Sequence, residues 1–371
     1  MTIDLPLQAP SAAGLTWNIT RNDEAKSDAE RQAILADPGF GNHFTDHMVD
    51  LCWSEKGGWH RPRVSPYGPI QLDPAAAVLH YAQEIFEGLK AYRHADGSIH
   101  TFRPYENAAR MQRSAHRMAL PELPVEVFID SLKQLIAVDG DWVPTADETS
   151  LYLRPFMFAK EAFLGVRPAK KAAYYLIASP AGAYFPGGVQ PVNIWLSTNY
   201  ARAGKGGTGA AKTGGNYASS LLPQAEAYEK GCQQVLFLDE GRYLEELGGM
   251  NVVLVRRDGT LVTPESDSIL EGITLASILQ LAADRGHQVE QRRVTIDEWR
   301  EGAASGDIIG AFACGTAAVV VPIGRLLAED FEIVHHGPES EELALSLRSE
   351  LTGIQYGRVE DRHGWMLRLD A

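Results

Sequence analysis

The apolar runs Leu89 to Arg93 and Ser98 to Phe102 flank Ala95-Asp96-Gly97, a pattern that predicts two strands joined by a tight turn. Helical patterning follows from Glu106 to Met118 and from Val125 to Ala137. Ser150 to Phe158 and Ala172 to Ala178 then read as strands. Ser179 to Pro191 is dense in proline and glycine, which interrupt both a helix and a central strand, so it marks a boundary near the middle of the chain.

Beyond that boundary, Val192 to Ser197, Gln234 to Leu238, Asn251 to Val255 and Thr260 to Thr263 predict strands alternating with helices. Arg257-Asp258-Gly259 turns between the last two, and Asp239-Glu240-Gly241-Arg242 reads as another hairpin turn. Helices are expected over Tyr217 to Lys230, from Glu271-Gly272-Ile273-Thr274 to about Ala283, and over Glu339 to Leu351. Thr295 and Glu298 form a capping box with Val294 and Trp299 as its hydrophobic staple, so a further helix begins there. The whole pattern predicts an α+β chain in two layers. Residues 1 to 39 carry no legible pattern.

At 371 residues the chain is too long for one ordinary core and implies two domains. Its 45% hydrophobic and 22% charged content is that of a soluble globular protein, and no apolar run approaches the ~18 residues of a membrane span. Met1 to Gly14 lacks a basic region followed by an apolar stretch, so no secretory signal is expected. A net charge of −14 opposes nucleic acid and anionic membranes, leaving small molecules as the natural partners. Cys52, Cys232 and Cys314 are never spaced as Cys-x-x-Cys, which argues against disulfides and zinc and fits a reducing cytoplasm. His43 and His47, four apart, could share a helix face but read as a structural pair, so no metal is expected. His335-His336 reads as surface.

Six glycines surround Lys212 between Gly204 and Gly215, a composition that lets backbone approach a ligand closely. Two chemistries want a lysine there. Gly206 to Thr213 comes within one residue of a P-loop, with Ala211 in place of the last glycine, and Val235 to Glu240 resembles the strand and acid that hold Mg²⁺ in such proteins. The second is an amine that forms a Schiff base with the aldehyde of pyridoxal phosphate. The intervening Thr213-Gly214-Gly215-Asn216 places the lysine outside the following helix, which favours the Schiff base. A plain flexible loop remains the third reading.

Pyridoxal phosphate also needs a carboxylate for its ring nitrogen and donors for its phosphate. Glu246, between two apolar strands, suits the first if buried but is as readily a solvated turn acid, a reading that suits Glu245 better. The helix start at Ile273 and Thr274, the Thr316 hydroxyl and Arg110 could serve the phosphate. Taken singly, each reads more readily as a helix cap, a turn or a surface arginine.

Together these segments resemble the branched-chain amino-acid aminotransferases of pyridoxal-phosphate fold type IV. The resemblance runs from about Phe40 to Met366, through Phe44-Thr45-Asp46-His47-Met48, His80-Tyr81 with Phe86-Glu87-Gly88, Arg110-Met111, Leu151-Tyr152-Leu153-Arg154-Pro155, Gly182 to Gly188, Lys212 to Tyr217, Glu246 with Gly248, Met250 and Asn251, Gly272-Ile273-Thr274, and Gly315-Thr316-Ala317.

The resemblance implies a smaller N-terminal α/β domain over 1–183, an interdomain loop over 184–200 and a larger C-terminal domain with a pseudo-barrel sheet over 201–371, assembled as a homodimer. It implies that Lys212 carries the cofactor and shuttles the substrate Cα proton, that Glu246 pairs with the pyridine nitrogen, and that Tyr217 bonds the phenolic oxygen. Arg110, Ile273, Thr274 and Thr316 would hold the phosphate. Phe44, Tyr81, Phe86, Tyr152 and Tyr184 would form an aromatic wall for a branched side chain, with Arg154 receiving the glutamate carboxylate and Thr316 and Ala317 the α-carboxylate. The implied reaction moves amino groups between leucine, isoleucine or valine and 2-oxoglutarate. A D-amino-acid aminotransferase or aminodeoxychorismate lyase would share Lys212 and Glu246 without the Tyr81, Phe86, Tyr152 and Arg154 grouping. Two departures stand out. Gly249 replaces a pocket-lining threonine of vertebrate members, and Ala318 to Val321 lacks the Cys-x-x-Cys of the mammalian enzymes, so thiol regulation is not expected.

Overall fold

The computed structural model describes residues 15–184, 187–239, 242–335 and 337–371. The chain forms two compact units, one comprising Met1–Pro186, Ala211–Gly214 and Ile354–Ala371, the other Gly187–Ala210 and Gly215–Gly353.

In the first unit the strands run in the order Asn18–Ile19, Gly58–Pro66, His47–Ser54, Lys171–Ala181, Ser150–Ala159, Leu89–Arg93, Ile99–Phe102 and Met366–Arg368, with Glu84–Phe86 also on Ser150–Ala159. Helices Pro104–Arg117 and Val125–Asp139 contribute Met111, Phe128, Leu132 and Leu135 to one buried cluster with Leu51, Leu151, Leu153 and Leu176 of the sheet. Each such side chain stabilises the unit by roughly 1.5–3 kcal/mol relative to exposure. Strand periodicity then sorts the two faces. In Ser150–Ala159, Leu151, Leu153 and Met157 are fully buried, while Tyr152, Arg154 and Phe156 alternate with them and are half-buried. That second face presents Tyr152, Arg154 and Phe156.

The second unit's sheet has the order Leu244–Leu247, Gln234–Leu238, Val192–Ser197, Val319–Leu327, Ile308–Gly315, Asn251–Arg256, Leu261–Pro264 and Val289–Arg292, with Glu332–Val334 on Val319–Leu327. Helices Gly214–Glu229, Ile273–Asp284 and Ile296–Ser305 lie between these strands in sequence, and Pro338–Gln355 follows the last of them.

Several expectations need correction. The strand expected to end at Ala178 continues through Pro180 to Ala181. Its pairing with His47–Ser54 stops at Leu176, whereas its pairing with Ser150–Ala159 extends to Ser150↔Ala181. Pro180 therefore sits where the ladder is one-sided and its missing N–H costs no bond. The helix after Lys212 begins at Gly214 rather than Tyr217 and tolerates Pro223 in its interior. Thr295 caps its helix by accepting from the Glu298 N–H, but the box is not closed: the Glu298 carboxylate is bound by Arg292 through Nη1 and Nη2. Of the turn at 239–242, Glu240 and Gly241 lie outside the described residues, while the flanking strands pair antiparallel as expected.

The two histidines do not share a helix. His47 opens a strand, and its buried ring is satisfied by Asp139 Oδ1 at 2.6 Å from Nδ1 and by the Asn22 N–H at 2.9 Å from Nε2, while His43 is exposed. No metal-binding group of three or more His, Cys, Asp or Glu occurs among the described residues. His335 is half-buried rather than surface, stacked on Trp299, whose indole N–H donates to it at 3.2 Å; His336 lies outside the described residues.

Candidate active site

Lys212 belongs to the first unit and is held there by its own backbone. Its N–H donates to Ser114 Oγ at 2.9 Å, and its carbonyl accepts from the Phe86 N–H at 3.0 Å. The Nζ lies 4.7 Å from the centre of the Phe86 ring. The same ring faces Arg154 at 4.8 Å, and Arg154 also lies over Tyr152 at 5.2 Å while Nη2 donates to the Tyr152 hydroxyl at 3.0 Å. Cation–π contacts of this kind hold a guanidinium on aromatic faces without neutralising it. The Arg154 Nε is buried and has no hydrogen-bond partner, an orphan donor that an anionic ligand would satisfy.

Gly88 makes that arrangement possible, since a Cβ there would fall 2.1 Å from the Tyr152 hydroxyl oxygen. Lys212, Phe86, Tyr152 and Arg154 are thus brought together. Phe44 and Tyr81 make their described contacts elsewhere: Phe44 stacks on Tyr67 at 5.0 Å, and the exposed Tyr81 donates its hydroxyl to the Leu164 carbonyl. Tyr184 is exposed.

Arg110 is buried rather than a surface arginine. Its Nε and Nη2 grip the two oxygens of Glu87, each at 2.8 Å, and Asn107 donates to the same carboxylate at 2.8 Å. Such a bidentate pair fixes the plane of the guanidinium.

The second unit supplies a separate group. Glu246 is 5% exposed and paired with Arg202 at 2.7 Å, and its Oε1 also accepts from the Leu270 N–H at 2.7 Å. Arg202 Nη2 donates further to the carbonyls of Gly209 at 2.8 Å and Ser268 at 2.6 Å. The Asn251 amide donates to the Leu270 carbonyl at 3.2 Å, and its Oδ1 lies 2.0 Å from where a Cβ of Gly272 would stand. Leu270 therefore ties Glu246 to the start of Ile273–Asp284, whose Gly272 cap provides no side-chain acceptor. Uncapped amides at a helix start form an anion site, and Thr274 stands at the second helical position. Tyr217 is half-buried on the helix whose Asn216 exchanges two hydrogen bonds with Thr208 of the glycine loop, at 2.7 and 2.8 Å.

Thr316 and Ala317 are half-buried in the turn between Ile308–Gly315 and Val319–Leu327. Val319 closes that turn at φ 65°, a backbone conformation costing a β-branched residue roughly 1–3 kcal/mol and retained by its pairing with Gly315. The neighbouring Cys314 is fully buried, and burial pushes its thiol up to about 12, so it is no reactive thiol at neutral pH. A Cβ at Gly249 would meet nothing within 4 Å, so the glycine leaves open space.

Two residues escaped the sequence reading. Arg202 lies ten positions before Lys212, and no local pattern marks it as the partner of Glu246. Glu245 was expected to be solvated but is 3% exposed, with the Ser268 hydroxyl donating to it. Burial raises its carboxyl above the ordinary 4.5, against the opposing pull of Ser268 and Arg202. The native state then binds this proton more tightly than the unfolded chain, so stability falls as pH rises from the ordinary value through the native one. Glu245→Gln keeps an acceptor for Ser268 and cannot ionise; its urea midpoint should match the parent near pH 4 and exceed it increasingly as pH rises above the ordinary carboxylate range. Parallel midpoints across that rise in pH would refute an ionising buried Glu245.

Arg202→Met should cost about 3–5 kcal/mol in urea unfolding, because it leaves the buried Glu246 carboxylate without its partner. A loss under about 1 kcal/mol would show that the pair is dispensable.

Residues 84–326 match the family model for class IV amino-transferases. The chain is 58% identical over 363 residues to a branched-chain-amino-acid aminotransferase of Mycolicibacterium smegmatis, covering 96% of this chain and 99% of that one. It is 45% identical to branched-chain-amino-acid aminotransferase 2 of Bacillus subtilis, covering 90% and 92% respectively. Among solved structures, the branched-chain amino acid aminotransferase of Escherichia coli superposes with a TM-score of 0.70 at 26% identity, over 86% of this chain and 99% of that one. With this fold, and with near-complete coverage in both directions, the chain belongs to the branched-chain amino-acid aminotransferases of the class IV, fold type IV family.

Proposed function

We propose that the chain transfers the amino group of leucine, isoleucine or valine to 2-oxoglutarate, and the reverse, in the cytoplasm and as a homodimer. The observation that carries this reading is the 58% identity to a branched-chain-amino-acid aminotransferase over 96% of the chain. The residues present suit the family's cofactor. A buried acid with an arginine partner, an uncapped helix start that only glycine can adjoin, and a lysine over an aromatic ring form the donor set that it needs.

Pyridoxal phosphate supplies, when bound, an aldehyde for the amino group and a ring that accepts the electrons left as the substrate Cα proton departs. Lys212 Nζ would hold the cofactor and would move the substrate Cα proton. Glu246 holds a proton at the ring nitrogen, and the Tyr217 hydroxyl bonds the phenolic oxygen. Arg110, oriented by Glu87, holds the phosphate together with the Ile273 amide and the Thr274 and Thr316 hydroxyls. Phe44, Tyr81, Phe86, Tyr152 and Tyr184 exclude water around the branched side chain. Arg154 takes the glutamate side-chain carboxylate, and the amides of Thr316 and Ala317 take the α-carboxylate.

The P-loop alternative fails on local geometry. Gly207 N–H is spent on the Gly204 carbonyl, Lys212 N–H on Ser114 and Thr213 N–H on Ala211, so these amides do not converge on a phosphate. Coupled assays with leucine, D-alanine and aminodeoxychorismate test the substrate: only leucine with 2-oxoglutarate should yield glutamate. Faster turnover of either rival would replace this reading.

A further inference from the structure

The strand Glu84–Phe86 grips Lys212 and the two residues after it at separate points. Phe86 contributes its N–H to the Lys212 carbonyl at 3.0 Å and its ring to the face beneath Nζ. Strand periodicity puts the side chain of residue 84 on the same face, and sends Ile85, fully buried, into the core on the other. The Glu84 Oε1 accepts from the Gly214 N–H and from the Thr213 hydroxyl, the latter at 3.4 Å.

Three features fit this carboxylate to its place. Thr213 is 1% exposed, so its hydroxyl has no recourse to water. A Cβ on Gly214 would lie 2.5 Å from Oε1, so only glycine lets the carboxylate reach the backbone. Gly214 also opens the Gly214–Glu229 helix, whose first amides lack intrahelical acceptors and favour a negative partner. Burial raises the Glu84 carboxyl, while the Gly214 N–H, the Thr213 hydroxyl and the Arg154 charge oppose that rise.

We propose that Glu84 is a positioning residue for the transamination: by holding Thr213 and Gly214 it fixes the pivot from which the Lys212 side chain swings between carrying the cofactor and taking the Cα proton. The role rests on the functional reading of Lys212 given above. With Ser114 and Phe86 fixing the lysine's own N–H and carbonyl, and Glu84 the next two residues, motion is confined to the four-carbon stem. A base that must meet its proton within a narrow geometry loses rate when its anchor drifts, and a displacement near 1 Å can cost about 10²-fold.

The test compares Glu84→Ala, which removes the acceptor, with Glu84→Gln, which keeps an oxygen at the same place. Hydrogen exchange of the Gly214 amide is followed in cofactor-free protein, and kcat and KM for leucine in the loaded enzyme. Glu84→Ala should accelerate Gly214 exchange and lower kcat about 10- to 100-fold with KM within about twofold, and Glu84→Gln should restore most of both. Unchanged Gly214 exchange in Glu84→Ala would overturn the proposal, as would a Glu84→Gln variant that stays as slow as Glu84→Ala while its Gly214 amide is protected. If the parent protein bound no cofactor at Lys212, the functional reading would fail, while the exchange result would still report whether Glu84 holds the segment.

Discussion

Lys212→Ala is expected to abolish transamination, lowering turnover by at least about 10⁴-fold, and to remove the visible absorption band of the lysine-bound cofactor. The substitution takes away both a nucleophile and a proton carrier at one atom, so no neighbour can restore half of the role. It should leave the fold intact. The backbone contacts of residue 212 to Ser114 and Phe86 do not involve the side chain, which is only half-buried and rests on one face of Phe86. Loss of activity with an unchanged urea midpoint would therefore locate the defect in chemistry. A variant that keeps the band would mean that another amine carries the cofactor, and the assignment of Lys212 would fall.

What could be read from the sequence was what repeats along it. The hairpin around Ala95-Asp96-Gly97 and the helices Pro104–Arg117, Val125–Asp139 and Ile273–Asp284 each announce themselves by turn chemistry or by several turns of apolar spacing. The strands His47–Ser54 and Gly58–Pro66 did not, because tryptophan, histidine, arginine and proline interrupt their alternation, and their place in the sheet comes from non-local pairing of His47–Ser54 with Lys171–Ala181 and from Gly58–Pro66 pairing in turn with His47–Ser54. The helix Asp28–Ala36 lies in the stretch expected to carry no pattern, although Ser27 and Glu30 form a closed capping box at its start.

At the site, residue types were visible and their partners were not. Nothing near Glu245-Glu246 in sequence says that both acids are buried, since the cation that compensates Glu246 comes from Arg202, forty-four positions away in the chain. The glycines around Lys212 were read as room for a ligand, but part of that room is spent within the protein. A Cβ on Gly209 would fall 2.1 Å from the Ser268 carbonyl oxygen, and one on Gly214 would strike Glu84. Close approach of backbone was correctly inferred, but sequence cannot say what approaches.

Arg154→Met should separate the two substrates. Methionine keeps most of the aliphatic bulk over Phe86 and Tyr152 while deleting the charge, so a branched side chain meets much the same wall. Glutamate instead loses the partner of its side-chain carboxylate. An unpaired buried carboxylate costs about 2–5 kcal/mol, which is roughly 30- to several-thousand-fold in kcat/KM for glutamate, against a change of a few-fold for leucine. Arg154→Lys should recover only part of the loss. A lysine restores charge but not the planar fork that now meets the Tyr152 hydroxyl through one nitrogen and leaves Nε without a partner. Each half-reaction can be followed separately, with glutamate and with leucine as the sole amino donor. Equal losses for the two donors would show that Arg154 maintains the shape of the aromatic face rather than reading a carboxylate. Recognition of glutamate would then have to come from another cation.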